Sequence, residues 1–196
     1  MKVQSFITDF FDSNIYLFDI NKHKIMIDCG GTPSYIKRLL SVNSITPEYV
    51  LLTHGHFDHI SALAALKETK VKVFIHKDDA KYLVDPEYNL STKLTGDSFI
   101  WSNCVYDYDS LPMELGIEVI HVPGHSPGSV ALKINNSLFT GDTLFCDGIG
   151  NTMFPGGNFE TELDSVKKLL ALPEDTIVYP GHGPTTTIAK EQNLII

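Results

Sequence analysis

Residues 53–59 read THGHFDH, so three histidines and one aspartate (His54, His56, Asp58 and His59) fall within six consecutive positions. With eight histidines in 196 residues, such an array would arise by chance in roughly one sequence in a thousand. Imidazole and carboxylate groups are the ligands of borderline divalent metal ions. One short loop cannot wrap four such side chains comfortably around a single ion, so the array indicates two neighbouring metal ions.

Three further motifs place a histidine or an aspartate at a turn that follows a predicted strand. They are VPGHSPG at 122–128 with His125, FTGDT at 139–143 with Asp142, and YPGHGP at 179–184 with His182. Taken singly, a glycine-flanked histidine or aspartate is more typical of a turn than of a metal site. Together with the histidine array, the three motifs indicate the remaining ligands.

The apolar pattern alternates between short strands and helices along the chain. It predicts strands at 3–8, 14–20, 24–28, 48–53, 71–76, 116–122, 129–134, 138–141 and 176–179, and helices at 33–41, 61–68, 77–84 and 160–172. Residues 85–112 are the least regular part and are rich in aromatic residues. A long segment of this kind forms either a lid or pocket wall, or a flap packed on the core.

The two halves of the chain resemble each other. NIYLFDINKHKIMIDCGG at 14–31 and SVALKINNSLFTGDTLF at 129–145 each read as a strand, an asparagine-bearing turn, a second strand and an acid, Asp28 or Asp142. A helix and a strand ending near a histidine follow in both halves. Two such units packed face to face predict a helix, sheet, sheet, helix sandwich with both strand-end histidines at one edge. Composition alone is the competing explanation of the likeness.

Composition limits the remaining choices. The chain of 196 residues is 43% hydrophobic and 20% charged, which predicts one domain over residues 1–196. Fifteen Lys and Arg against 24 Asp and Glu give a net charge of −9, which disfavours nucleic acid as a partner. No apolar run is long enough to span a membrane, and residues 1–9 lack the features of a signal peptide. Three scattered cysteines predict a reducing, cytoplasmic location.

The ordered motifs THGHFDH, PGHSPGS, LFTGD and YPGHG resemble those of metallo-β-lactamase-fold hydrolases over about Asn14–Asn193. Within that superfamily, PGHSPGSVAL, LFTGDTLF, FPGGN at 154–158 and PGHGPTTTIAKE are most similar to the glyoxalase II-like group, the hydroxyacylglutathione hydrolases and their short single-domain relatives. The resemblance implies an α/β fold, a four-layer αββα sandwich with two similar β-rich halves.

The resemblance also implies a binuclear site. Its first metal would be held by His54, His56 and His125, and its second by Asp58, His59 and His182, with Asp142 and a hydroxide between them. Zinc is the commonest metal of the family, and iron and manganese also occur. Asp58 and Asp142 would be the catalytic residues, and Asp28 would accept a hydrogen bond from a ligating histidine. The remaining histidines, His23, His76 and His121, match no ligand position and are interpreted as surface or structural residues.

The activity implied is metal-dependent hydrolysis of a hydroxyacyl thioester, similar to lactoylglutathione, by the metal-bridging hydroxide. The thiolate leaving group of a thioester needs no general acid. The chain also has no Gly-x-Ser-x-Gly motif, which would indicate a serine nucleophile. The main alternative is a persulfide dioxygenase, in which one iron would use His54, His125 and Asp142. A structural zinc site is disfavoured because the ligand set contains no cysteine, and Cys29 and Cys146 are interpreted as small buried residues rather than ligands.

Two features depart from the glyoxalase II pattern. The chain ends about a dozen residues after His182, without the helical domain that helps full-length members bind glutathione, so a short single-domain protein is expected. Asn151 stands where many relatives carry arginine. The thiol carrier and the acyl group therefore stay open, as do the oligomeric state and the native metal. Residues 85–112 and 145–158 are the first candidates for substrate recognition.

Overall fold

The structure is a computed structural model that describes residues 1–192, so of the resembling segment only Asn193 lies outside the described residues. The strands are β1 (Gln4–Ile7), β2 (Asn14–Ile20), β3 (His23–Ile27), β4 (Tyr49–Leu51), β5 (Lys72–Phe74), β6 (Glu118–His121), β7 (Val130–Ile134), β8 (Ser137–Gly141), β9 (Leu144–Phe145), β10 (Gly148–Ile149), β11 (Ile177–Pro180) and β12 (Thr186–Thr187). The α-helices are α1 (Pro33–Val42), α2 (Phe57–Ile60), α3 (Ser91–Thr95), α4 (Phe159–Leu170) and α5 (Ile188–Glu191). Short 3-10 helices cover Leu63–Leu66, Lys77–Leu83, Tyr108–Ser110 and Met113–Leu115.

Two five-stranded sheets form the centre of the fold. The first has the order β1-β2-β3-β4-β5, and the second has the order β12-β11-β8-β7-β6. Strands β9 and β10 pair separately as a small antiparallel ribbon. Strands β5 and β6 are therefore edge strands of different sheets.

Strand β2 shows why the layers form. Its side chains are buried on both faces: Ile15 and Leu17 pack with helix α1, whereas Tyr16 and Phe18 pack against the second sheet. Because successive side chains of a strand point to opposite faces, an apolar run of this kind is stable only with a layer on each side.

Helix α4 covers the other face of the second sheet, where Val166 and Leu169 pack on Ile120, Leu138 and Val178. The layers are thus helix, sheet, sheet, helix, which confirms the predicted αββα sandwich.

The two halves of the chain share the same order of elements. In each, an antiparallel hairpin (β2-β3 or β7-β8) is followed by a helix and by a strand parallel to the hairpin's second strand (β4 or β11).

The helix predicted at 61–68 was placed incorrectly. The chain turns helical earlier, in α2, with His56 at the N-cap and His59 buried within the helix. A 3-10 turn at Leu63–Leu66 replaces the remainder. As a result, His56 is the N-cap of α2, and Asp58 and His59 lie within it. Successive residues of a helix point in different directions, so the three side chains do not lie on one face.

The aromatic segment at 85–112 combines both structures expected for it. Trp101 is 5% exposed and belongs to the core cluster of the first sheet, while Leu90 and Leu94 line a surface cavity. Within residues 1–192, no helix is long and apolar enough to cross a membrane, and α4, with 12 residues, is far below the required length.

Candidate metal centre

The seven predicted ligand side chains lie together at one edge of the sandwich. Strand β4 leads directly to the THGHFDH array, β8 ends one residue before Asp142, and β11 ends two residues before His182. Since β4 runs parallel to β3, and β11 runs parallel to β8, the carboxyl ends of these strands meet at the same edge. His125 joins them from the loop that follows β6.

The first group consists of His54, His56 and His125, all buried. Nε2 of His125 lies 2.8 Å from Nδ1 of His56 and 3.2 Å from Nε2 of His54. Three imidazole nitrogens from two separate loops thus converge on one point.

The second group consists of Asp58, His59, Asp142 and His182. Nε2 of His182 lies 3.3 Å from Nε2 of His59 and 3.0 Å from Oδ2 of Asp58. Nε2 of His59 lies 3.5 Å from the same Asp58 oxygen. His59 is completely buried, whereas the His182 side chain is 30% exposed, so the second group reaches the surface.

Asp142 lies between the two groups. Its Oδ1 is 3.2 Å from Nε2 of His59, and its Oδ2 is 3.7 Å from Nε2 of His125 and 3.6 Å from Nε2 of His182. One carboxylate therefore faces histidines of both groups.

The donor set fits two divalent cations. A tetrahedral zinc ion with bonds of about 2.0–2.1 Å keeps its ligand atoms roughly 3.3 Å apart, close to the 2.8–3.3 Å between the imidazole nitrogens. Oδ1 of Asp142 is buried and has no hydrogen-bond partner among the described residues. A buried carboxylate oxygen and clustered imidazole lone pairs are both stabilised by a bound cation.

Three of the histidines donate a hydrogen bond from the ring nitrogen that faces away from the cluster. The other ring nitrogen, which faces the cluster, therefore keeps its lone pair and can bind a metal ion. Nδ1 of His59 donates to Oδ2 of Asp28 over 2.8 Å, the position proposed for Asp28 from the sequence. Nδ1 of His54 donates to Oγ1 of Thr53 over 3.1 Å. Nδ1 of His125 donates to the backbone carbonyl of Asn151 over 2.9 Å, a contact that any residue at that position can make.

The electrostatics of the two groups differ. Burial, reinforced by the neighbouring imidazoles, lowers the pKa of His54 well below its usual value and lowers the pKa of His56 to about 3. Burial also acts on His59, but the surrounding carboxylates outweigh it and raise its pKa well above the usual value. His54 and His56 of the first group are therefore neutral at pH 7, the form that binds a metal. In the second group the carboxylates favour the protonated form of His59, and a bound cation would displace that proton.

Two buried carboxylates that the sequence did not reveal hold the histidine loops. Asp79 accepts hydrogen bonds from the backbone nitrogens of Gly55 (2.9 Å) and Gly128 (2.6 Å) and from Oγ of Ser126 (2.6 Å). Glu162 on α4 accepts one from the backbone nitrogen of His125 (2.7 Å). Both residues lie in stretches rich in charged residues, which are typical of solvent-exposed helices. For Glu162, the one available sequence signal was an acidic residue on the helix face that is predicted to be buried.

A cavity of about 220 Å³ opens above the two groups. Its walls are Phe11, Leu90, Leu94 and Phe154, and its floor includes His56, Asp58, His125, Asp142 and His182. Leu90 and Leu94 come from segment 85–112, and Phe154 comes from segment 145–158, whereas Phe11 carried no sequence signal. Phe11 and Leu90 have positive φ angles of 61° and 70°, a strained backbone conformation that is common around functional sites.

The cysteines take no part in either group. Cys29 is fully buried, as expected for a small apolar residue, and burial raises the pKa of its thiol. The interpretation of Cys146 as buried was wrong, because its side chain is partly exposed and its thiol lies beside Asp147.

Comparison with known proteins places these observations in context. The family model described as "Metallo-beta-lactamase superfamily" matches residues 8–182. The chain is 36% identical to "Probable metallo-hydrolase YqgX" of Bacillus subtilis, covering 92% of this chain and 90% of that protein. It is 34% identical to "Hydroxyacylglutathione hydrolase GloC" of Haemophilus influenzae, covering 95% and 92%.

Solved structures give the same result. The crystal structure of "BLEG-1 B3 metallo-beta-lactamase" superposes with a TM-score of 0.88 at 35% identity, covering 98% of this chain and 97% of that one. "TTHA1623 in a di-iron-bound form" superposes with a TM-score of 0.88 at 31% identity, covering 98% of each chain. The likeness thus extends over nearly the whole length of both structures.

Proposed function

The chain belongs to the metallo-beta-lactamase superfamily, and we propose that it is a binuclear metal-dependent hydrolase that cleaves a hydroxyacyl thioester. The observation that carries the proposal is the position of Asp142, whose two carboxylate oxygens face histidines of both groups beneath an open cavity. That arrangement suits two ions that share one ligand.

In this proposal His54, His56 and His125 would hold one ion, Asp58, His59 and His182 would hold the other, and Asp142 would be available to both. Ions bound there would supply hydroxide near neutral pH and Lewis-acid activation of the substrate carbonyl group. Zinc suits the mixed nitrogen and oxygen ligands. Iron and manganese are further candidates, and the di-iron form of a relative with 31% identity supports iron.

The protein's own groups orient the reaction. Asp58 lies on the cavity floor with Oδ2 3.0 Å from Nε2 of His182, where its carboxylate can orient the nucleophile and accept its proton. The apolar walls, Phe11, Leu90, Leu94 and Phe154, hold the acyl chain and keep bulk water away from the reacting carbonyl. A thiolate leaving group needs no proton from the protein, and the described cavity lining contains no lysine, cysteine or tyrosine that would supply one.

Two observations support a thioester as the substrate. The relative named as a hydroxyacylglutathione hydrolase covers 95% of this chain. Nζ of Lys93 on α3 lies 5.2 Å from the centre of the Phe154 ring, which places a positive charge beside the cavity wall for an anionic thiol carrier. A β-lactam is the second candidate, favoured by the 35% identity to the B3 metallo-beta-lactamase structure.

The test combines metal analysis of the purified protein with release of free thiol from a panel of acyl thioesters. We expect two metal ions per chain and thiol release. His182→Ala should lower the metal content and abolish turnover. His23→Ala is the matched control, because His23 is a partly exposed histidine of β3 whose Nδ1 pairs with Glu48 at 2.9 Å.

Other outcomes would identify the alternatives. One iron per chain, with oxygen consumption on a persulfide of a small thiol, would replace the proposal with the mononuclear dioxygenase that uses His54, His125 and Asp142. Opening of a β-lactam without thiol release would favour the second candidate. Full thioesterase activity in a metal-free preparation would contradict the mechanism altogether.

A further inference from the structure

A second cluster of metal-binding side chains lies outside the centre described above. It consists of His76, which follows β5 after one intervening residue, Asp78, and His121, the last residue of β6. Strands β5 and β6 are the edges of different sheets. The two imidazole rings stack with centroids 4.3 Å apart and an interplanar angle of 12°, so the cluster spans the two sheets where their edges meet.

We propose that His76, Asp78 and His121 form a third metal site, which binds a borderline divalent ion such as Zn²⁺ and clips the edges of the two sheets together. Two imidazoles and one carboxylate form a nitrogen and oxygen donor set that such ions prefer. The fourth position would be filled by water, because the cluster offers three side chains.

The ligand atoms are close together but not yet at bonding geometry. One from each residue lies within 4.8 Å of the others, and Nδ1 of His76 is 3.7 Å from Oδ2 of Asp78. A tetrahedral zinc site needs a ligand spacing of roughly 3.3 Å, with the in-plane lone pair of each imidazole directed at the ion. Binding would therefore turn the two rings, which are now only 12° from parallel, toward a common point. The Asp78 side chain is 49% exposed, so the site is open to solvent on this side.

The tautomer of His121 suits a metal ligand. Its Nε2 lies 2.9 Å from the backbone carbonyl oxygen of Pro127. A carbonyl only accepts hydrogen bonds, so Nε2 carries the proton and Nδ1 keeps the lone pair. A backbone carbonyl on the outer nitrogen is the arrangement that holds metal-binding histidines elsewhere in proteins, including His125 here.

Nδ1 of His76 also keeps a lone pair, because it accepts a hydrogen bond. Nδ1 of His76 accepts only a long hydrogen bond of 3.3 Å, from the backbone nitrogen of Asp78, which an ion can replace at little cost.

A metal at this position would act on the supports of the main centre. Asp78 precedes Asp79, whose carboxylate binds the backbone of Gly55 and Gly128. His121 contacts the carbonyl of Pro127, which lies in the same loop as His125. The third ion would therefore restrain the 3-10 turn at Lys77–Leu83 and the loop that carries His125, and stabilise the fold without touching substrate.

The test counts Zn²⁺ bound to holoprotein whose main centre is already loaded. Excess Zn²⁺ is added, weakly bound ion is removed by desalting, and the metal content is measured alongside a calorimetric titration. We expect one additional equivalent in the wild-type protein, together with a higher unfolding temperature. His121→Gln should lose both effects, while its main-centre metal content and turnover stay at the wild-type level.

Two further variants make the result decisive. Asp78→Asn should weaken the additional site by about tenfold or more, since one charged ligand is lost while the fold is retained. His23→Gln is the control and should keep the site, because His23 is another surface histidine beside a carboxylate, Glu48. Absence of an additional equivalent, or an equal loss in His23→Gln, would overturn the proposal. Thiol release need not be measured for this outcome, so failure of the third site is distinguishable from failure of the proposed activity.

Discussion

Nδ1 of His59 donates a 2.8 Å hydrogen bond to Oδ2 of Asp28, a residue 31 positions earlier in the chain. The same carboxylate accepts hydrogen bonds from the backbone nitrogen and the hydroxyl group of Thr53, each 2.8 Å long. Asp28 therefore ties the end of β3 to the beginning of the THGHFDH array, and it directs Nε2 of His59 toward Asp58, Asp142 and His182.

Asp28→Asn should weaken metal binding by Asp58, His59 and His182 by about 10- to 100-fold, because the carboxylate that holds the His59 ring is lost. The backbone should tolerate the change, since Asp28 has a φ of 58°, a conformation that asparagine adopts readily. Competition with a fluorescent chelator measures the affinity. Asp19→Asn, which alters an exposed ion pair with Lys24, is the control, and equal affinities in the two variants would contradict the role of Asp28.

Asp79→Ala should lower the free energy of unfolding by about 3 kcal/mol, because each buried donor left without a partner costs about 1–3 kcal/mol. The donors affected are the backbone nitrogens of Gly55 and Gly128 and the hydroxyl group of Ser126. Urea denaturation of the chelator-treated protein measures the change. The matched variant Asp164→Ala removes an exposed carboxylate from a surface ion pair and should change stability by less than about 0.5 kcal/mol. Similar values for both variants would show that Asp79 does not hold the loops.

Gly181→Ala should reduce turnover by about 100-fold, since displacement of catalytic groups by about 1 Å has effects of this size. A β-carbon at this position would lie 2.9 Å from Cε1 of His59 and would overlap Oδ1 of Asp142. Thiol release and metal content measure the effect. Gly148→Ala is the control, because its β-carbon would meet no heavy atom within 4 Å. Wild-type turnover in Gly181→Ala would mean that Asp142 can move without loss of function.

Leu94→Ala should raise KM roughly fivefold and leave kcat nearly unchanged, because about 1 kcal/mol of apolar contact with the acyl chain is lost. Leu94 lines the cavity and is 38% exposed, so its truncation should not unfold the protein. Steady-state kinetics separate the two constants. Met153→Ala removes an apolar side chain that is 91% exposed, next to the cavity residue Phe154, and should leave both constants unchanged. An identical KM in the two variants would exclude Leu94 from substrate binding.

Much of the fold could be predicted from local patterns. The run of apolar residues in β2, which predicts a strand, and the histidine array at 53–59, which predicts a metal site, are both visible in consecutive residues. The hairpin, helix and parallel strand of each half follow from the same patterns. The helix predicted at 61–68 begins earlier, because His56 is the N-cap of α2. This start depends on contacts outside the segment, such as the hydrogen bond from the backbone nitrogen of Phe57 to the carbonyl of Asn89.

The residue types available for metal chemistry, and the strands whose ends carry them, can be inferred from local stretches of sequence, because strand periodicity and turn residues act over a few positions. Which distant side chains meet depends on the tertiary structure. Asp79 reaches both histidine loops, Phe11 reaches the cavity, and His76 stacks on His121. Each of these contacts depends on how the two sheets pack on one another, and this packing is set by the summed burial of the whole core rather than by any short stretch of sequence.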